Sequence, residues 1–88
     1  MTTFSNAVLT VYSTEFCGDC IRSKRFLDAN GVQYQEIDIA HDDAAAALVM
    51  KINNGMQSVP VITFPDGTHL TEPSDLVLKE KLKELSII

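Results

Sequence analysis

The sequence predicts an α/β fold in the order β-α-β-α-β-β-α, a mixed four-stranded sheet flanked by three helices. Three observations carry this reading. The β-branched run "AVLTVYS" ends shortly before a helix-periodic stretch, "CIRSKRFLDAN"; a second strand-like and a second helix-like segment follow; and "VPVITF" and "THLT" flank a "PDG" turn ahead of a last amphipathic run. A strand–helix–strand crossover pairs its strands in parallel, whereas a tight turn pairs them antiparallel, so the sheet is mixed and helices cover both of its faces.

The first strand is read over Ala7 to Ser13, whose valines and tyrosine suit a buried pleat. The first helix carries Cys20, Ser23, Phe26 and Leu27 on one side and Arg22, Arg25 and Asp28 on the other, and runs from Cys20 to Asn30, where Gly31 closes it. "VQYQEIDI", Val32 to Ile39, alternates with period two and reads as a strand. Asp42 and Asp43 place negative charge at the start of a second helix, "AAAALVMKI", which "NNG" (Asn53 to Gly55) ends. Asp66 and Gly67 sit at the tip of the hairpin. In the last helix Ser74 is a suitable N-cap, and Leu78, Leu82 and Leu85 form an apolar stripe among lysines and glutamates.

Composition narrows the functional classes. The chain has 88 residues, 45% of them hydrophobic, which suits one domain spanning 1–88 and no more. Twelve acidic residues against seven basic ones give a net charge of −5, without the positive coat that binds phosphate backbones, so nucleic acid is not an expected partner. "MTTFSNAVLTVYS" has no basic leader region, and Thr10 breaks its short apolar run; a cytoplasmic protein without membrane attachment is expected.

Both cysteines lie within "STEFCGDCIRSK", as Cys17-Gly18-Asp19-Cys20. In a reducing compartment a structural disulfide is disfavoured, and a bridge across four residues closes too small a loop to stabilise the fold much. The pair falls at the turn from the carboxyl end of the first strand into the first helix, where open α/β sheets place their chemistry. Near the helix N-cap, the sulfur of Cys17 faces unpaired amides and the positive end of the helix, which favour a thiolate. Cys17 is therefore the expected attacking sulfur. Cys20, one turn further on the apolar side, is the expected resolving thiol, because burial disfavours its ionisation. Gly18 suits the tight departure from the strand and leaves room for a bulky disulfide.

"VYSTEFCGDCIRSKRFL", "SVPVITF" and "DGTHLTEPSDL" together resemble the glutaredoxin branch of the thioredoxin-fold proteins, over nearly the whole chain and in the right order. The CGxC core, Thr14 upstream and "FPDGTHLTEPS" in place of a double-glycine segment are most similar to mycoredoxins, which work with mycothiol instead of glutathione. The resemblance implies a thiol–disulfide oxidoreductase and assigns roles. Pro60 matches the family's cis-proline, Val59 offers its backbone to a bound disulfide, and Ser58 completes Ser-Val-Pro. Thr71, Glu72, Pro73, Ser74 and Asp75 match the segment that holds the carboxylate end of the small thiol, and a capped helix N-terminus suits an anion. Asp19 stands where the family commonly has Tyr; its charge opposes a thiolate at Cys17, and Arg22 offsets it. Basic residues common in the family are replaced by Thr14 and Val61, which fits a sugar-containing thiol better than a doubly carboxylated one.

By the same resemblance, Cys17 attacks a mixed disulfide between a protein and a small thiol, and a second small thiol resolves the adduct. For a disulfide within a protein, Cys20 attacks instead and leaves a Cys17–Cys20 bridge. Expected partners are S-thiolated or disulfide-containing proteins and a reductase for the small-thiol disulfide or a thioredoxin reductase system. The small thiol, mycothiol or glutathione, is a co-substrate; no tightly bound cofactor and a monomeric state are expected.

Other readings stand beside this one. A redoxin serving ribonucleotide reductase and recharged by thioredoxin reductase is the alternative enzyme. A zinc site of Cys17, Cys20, His41 and His69 is allowed by spacing, but the predicted topology puts His69 at the opposite end of the sheet. An iron–sulfur cluster shared between two chains through Cys17 needs ligands that lie outside this sequence. Arg22, Lys24 and Arg25 form either a basic rim for substrate or a solvated helix face. Tyr12, Phe16 and Phe64 are expected in the core, with Phe16 shielding the sulfur of Cys17, and Ile21 projects with the charged side as a contact for a protein partner.

Overall fold

The computed structural model describes residues 9–88. Strand β1 is Leu9–Ser13, helix α1 Gly18–Ala29, β2 Tyr34–Asp38, α2 Asp43–Ile52, β3 Val61–Thr63, β4 His69–Thr71 and α3 Asp75–Glu84, with a single 3-10 turn, Ile39–His41, between β2 and α2. This is the expected order. Ala7 and Val8, at the start of the expected first strand, lie outside the described residues.

The four strands form one sheet in the order β2-β1-β3-β4. β1 pairs with β2 in parallel from Leu9↔Tyr34 to Ser13↔Asp38. It pairs with β3 antiparallel, Tyr12 opposite Val61, and β3 pairs with β4 antiparallel, Val61 opposite Thr71. The carboxyl end of β1, the start of β3 and the end of β4 therefore meet at one end of the sheet.

Alternation along the strands gives each face its own core. Leu9, Val11, Ile62 and Phe64 pack against Leu27 of α1 and Leu78, Leu82 and Leu85, while Tyr12 and Val61 pack on the other face against Ala45 and Val49 of α2. Leu27, Leu78 and Leu82 are fully buried, each contributing roughly 1.5–3 kcal/mol of apolar burial. The stripe read along the last helix is thus its buried face, as expected.

Element ends depart from the sequence reading where capping decides them. α1 starts at Gly18, ahead of the expected Cys20, because Cys17 serves as its N-cap. Asn30 caps its other end, and the turn continues through Gly31 at φ +68°, a region open to glycine. β2 is shorter than Val32–Ile39, since its apolar residues do not keep one phase. Val32 and Tyr34 join the core under α1 and α3, whereas Ile37 and Ile39 join the core under α2. Glu36 takes the polar place at this change of face. α3 begins at the expected cap, Ser74 accepting the amide of Val77 at 3.2 Å, whereas Asp42, expected as negative charge in the first turn of α2, is its N-cap and accepts the amide of Ala45 at 2.9 Å.

Candidate active site at the first strand–helix turn

Cys17 caps α1 with extended backbone, φ −98° and ψ 110°, and its sulfur accepts the amide N–H of Cys20 at 3.1 Å. An N–H directed at sulfur, together with the positive end of the helix, favours negative charge there. On the other side the thiol donates to the carbonyl of Val59 at 3.7 Å. The Val59–Pro60 peptide bond is cis. The sheet register explains this meeting, since Tyr12 lies opposite Val61 and the chains leaving β1 and entering β3 are neighbours.

Cys20 is fully buried, and both cysteines are free thiols. Burial, and next a hydrogen bond with Cys17, push the Cys20 thiol from an ordinary value of 9.0 up to about 12; the Thr14 backbone and the charge of Lys24 act in the opposite direction. Two sulfurs one turn apart are thus chemically distinct, one partly exposed on a helix cap and one protonated inside. Such a pair can exchange disulfides through the outer sulfur and close a bridge through the inner one.

The segment 71–75 reaches the same end of the sheet from β4. The amide of Glu72, at φ +50°, donates to the carbonyl of Pro60 at 2.8 Å. Pro73 is buried and Ser74 caps α3. Arg22 ties this segment to α1: one Nη reaches the carboxylate of Asp75 at 3.0 Å, and the other the carbonyl of Pro73 and the carboxylate of Asp19, both at 3.4 Å. Arg22 thus faces Asp19, as the sequence suggested, and also spans the gap to α3, which it did not.

A second link was missed altogether. Asn53, read in the sequence only as a helix terminator, donates to the carbonyl of Ser58 at 3.0 Å and accepts from the Thr71 hydroxyl at 2.9 Å. A carboxamide offers donor and acceptor together, so this residue joins the stretch before Pro60 to the end of β4. Its place in "NNG" held no sign of this, because the link depends on strand order.

Among the remaining residues singled out, Tyr12 and Phe64 are buried as expected, but Phe16 is not in the core: it is 94% exposed. It stands in the short turn between β1 and α1 and belongs to neither core cluster. Ile21 is exposed at 41%, as expected. The triplet Arg22, Lys24 and Arg25 does not act as one basic rim, since Arg22 bridges to Asp19 and Asp75 and Lys24 pairs with Glu36 at 2.5 Å. His69, opposite Thr63, lies at the far end of the sheet from the cysteines, and exposed His41 faces Asp38. The zinc set allowed by spacing is therefore not brought together.

A dithiol at the first β-to-α turn, against a cis-proline loop in a four-stranded mixed sheet, defines the thioredoxin-fold oxidoreductases as a class. The solved structure of a thioredoxin-like protein superposes with a TM-score of 0.70 at 29% identity, covering 91% of this chain and 95% of that one. The family model for glutaredoxin matches residues 9–70, and the chain belongs to the glutaredoxin family. It is similar to a candidate glutaredoxin of Mycobacterium tuberculosis, 45% identical over 80 residues that cover 91% of this chain and 95% of the relative. It is also similar to mycoredoxin 1 of Corynebacterium glutamicum, 33% identical over 78 residues, 89% of this chain and 96% of the relative. The protein is a thiol–disulfide oxidoreductase.

Proposed function

We propose that the protein reduces mixed disulfides between proteins and mycothiol, with Cys17 as the nucleophile. The observation that carries this reading is the position of the Cys17 sulfur, between the amide of Cys20 and the carbonyl of Val59, with Cys20 buried behind it. In the first step Cys17 attacks the small-thiol sulfur of the mixed disulfide. The new S–S bond joins Cys17 to the small thiol, and the protein sulfur leaves with the electron pair and takes a proton. A second molecule of small thiol then attacks this adduct, regenerates Cys17 and departs as the symmetrical disulfide. On disulfides within a protein, Cys20 replaces the second thiol and a Cys17–Cys20 bridge results.

Ser58, Val59 and Pro60 form one wall of the groove for the disulfide, and Thr71 to Asp75 the other. Gly18 keeps the approach open, while Asp19 and Arg22 set the local charge. Mycothiol is favoured over glutathione on two grounds. One relative is named mycoredoxin 1. In addition, the guanidinium of Arg22 already faces two carboxylates of the chain and the ammonium of Lys24 a third, so neither is free to bind the carboxylates of glutathione. The whole chain, residues 1–88, acts in this reading as one cytoplasmic domain; among the described residues no helix is long and apolar enough to cross a membrane.

The test is turnover of a model mixed disulfide with each recycling thiol in turn. Mycothiol is expected to support faster turnover than glutathione at equal concentration. A preference for glutathione would overturn the assignment of the small thiol, and direct recharging by thioredoxin reductase and NADPH with neither thiol effective would move the reading to a thioredoxin-linked redoxin.

A further inference from the structure

Cys20 must give up a proton to close the bridge with Cys17, yet it is fully buried. Lys24 lies four residues after Cys20 in α1, and side chains at that spacing share a helix face about 5–6 Å apart, the later one leaning back over the earlier turn. The Lys24 ammonium is not free to swing into solvent. Glu36 of β2 holds it at 2.5 Å, and the same carboxylate oxygen accepts the hydroxyl of Ser13 at 2.9 Å.

Ser13 is buried and adjoins Thr14, whose backbone favours the charged form of Cys20. Lys24, one helical turn after the inner cysteine on α1, is therefore tied to β2 by Glu36 and through it to Ser13 of β1. Among the described residues the charged or titratable groups acting on Cys20 are Cys17, which opposes its ionisation, and Lys24, which favours it, with Glu36 behind Lys24. Once Cys17 carries a small thiol in disulfide linkage its own charge is gone, and Lys24 is the cation left beside the inner sulfur.

We infer that Lys24, anchored by Glu36 and Ser13, is a positioning residue for the resolving step: it stabilises the Cys20 thiolate and thereby sets the rate at which the Cys17 adduct closes to a Cys17–Cys20 bridge. Cys20 loses its proton and its sulfur attacks the Cys17 sulfur; the Cys17–small thiol bond breaks, and the small thiol leaves with the electron pair and ends with the proton. Cys20 is oxidised and the small-thiol sulfur is reduced. The inference rests on the dithiol arm of the proposed function and predicts no effect on attack by Cys17.

The test uses 5,5′-dithiobis(2-nitrobenzoate) as the disulfide. Attack by Cys17 releases one coloured thiolate, and closure by Cys20 releases a second, so the two steps are read separately in one trace. Lys24→Gln is expected to leave the first release unchanged, to slow the second about fivefold at neutral pH and to move its pH dependence to the alkaline side. Lys24→Arg, which keeps the charge, is expected to restore the second release. An unchanged second release in Lys24→Gln, or equal slowing of both releases with no rescue by Lys24→Arg, would overturn the inference. A parent protein that releases only one equivalent would instead remove the dithiol arm itself, and this inference with it.

Discussion

At the scale of single residues, two identical side chains are given opposite chemistry by three residues of separation. Cys17 caps the helix and receives an amide; Cys20 is on the buried face and is pushed up to about 12. The expected consequence is asymmetric. Cys17→Ser should abolish turnover of mixed disulfides, whereas Cys20→Ser should retain most of it when a small thiol recycles the enzyme, as read by turnover of the model mixed disulfide. Equal losses in the two variants would contradict the division. This asymmetry was legible in "FCGDC", because a cap and an apolar helix face can be read from spacing. The exposure of Phe16 was not. An aromatic residue after a buried strand suggests core by composition, but placing it requires knowing that β1 ends at Ser13 and that both faces of the sheet are already covered.

At the scale of elements, the site depends on how three segments are held at one end of the sheet. Arg22 joins α1 to the segment leading into α3, and Asn53 joins the end of α2 to Ser58 and Thr71. The Arg22 pairs are about half exposed, so their loss should cost stability no more than about 1 kcal/mol. Their effect on the groove should be larger. Arg22→Ala is expected to raise KM for the recycling thiol several-fold, in the order of threefold to tenfold, with a much smaller change in kcat, because it frees the 71–75 segment without moving Cys17. Steady-state kinetics with the small thiol as the varied substrate checks this; a fall in kcat at constant KM would contradict it. Element order, the acidic start of α2, the cap at Ser74 and the hairpin were all legible from local signals. The limits of β2 were not, since its apolar residues serve two different cores and shift phase between Tyr34 and Ile37.

At the scale of the whole molecule, the inner thiol couples reactivity to folding. In the unfolded chain Cys20 would ionise near its ordinary value of 9.0, while in the folded chain it holds its proton up to about 12. Between these values the folded state binds more protons than the unfolded one, so the contribution to stability is fully present below pH 9.0 and is lost as the pH rises towards 12. Denaturant titrations of the reduced protein should show stability falling across this range, and Cys20→Ala should show a shallower fall; equal slopes would contradict the buried, protonated state. Glu36 behaves in the opposite sense. The hydrogen bond from Lys24, with help from Ser13 against the effect of burial, holds its carboxyl below the usual range, so its contribution is lost on acidification. The most direct measurement is brief exposure of the reduced, folded protein to iodoacetamide at neutral pH, followed by mass-spectrometric mapping of the modified cysteine. Carboxamidomethylation of Cys17 alone, faster than that of free cysteine, is the predicted result. Modification of Cys20 first, or of Cys17 no faster than free cysteine, would contradict it.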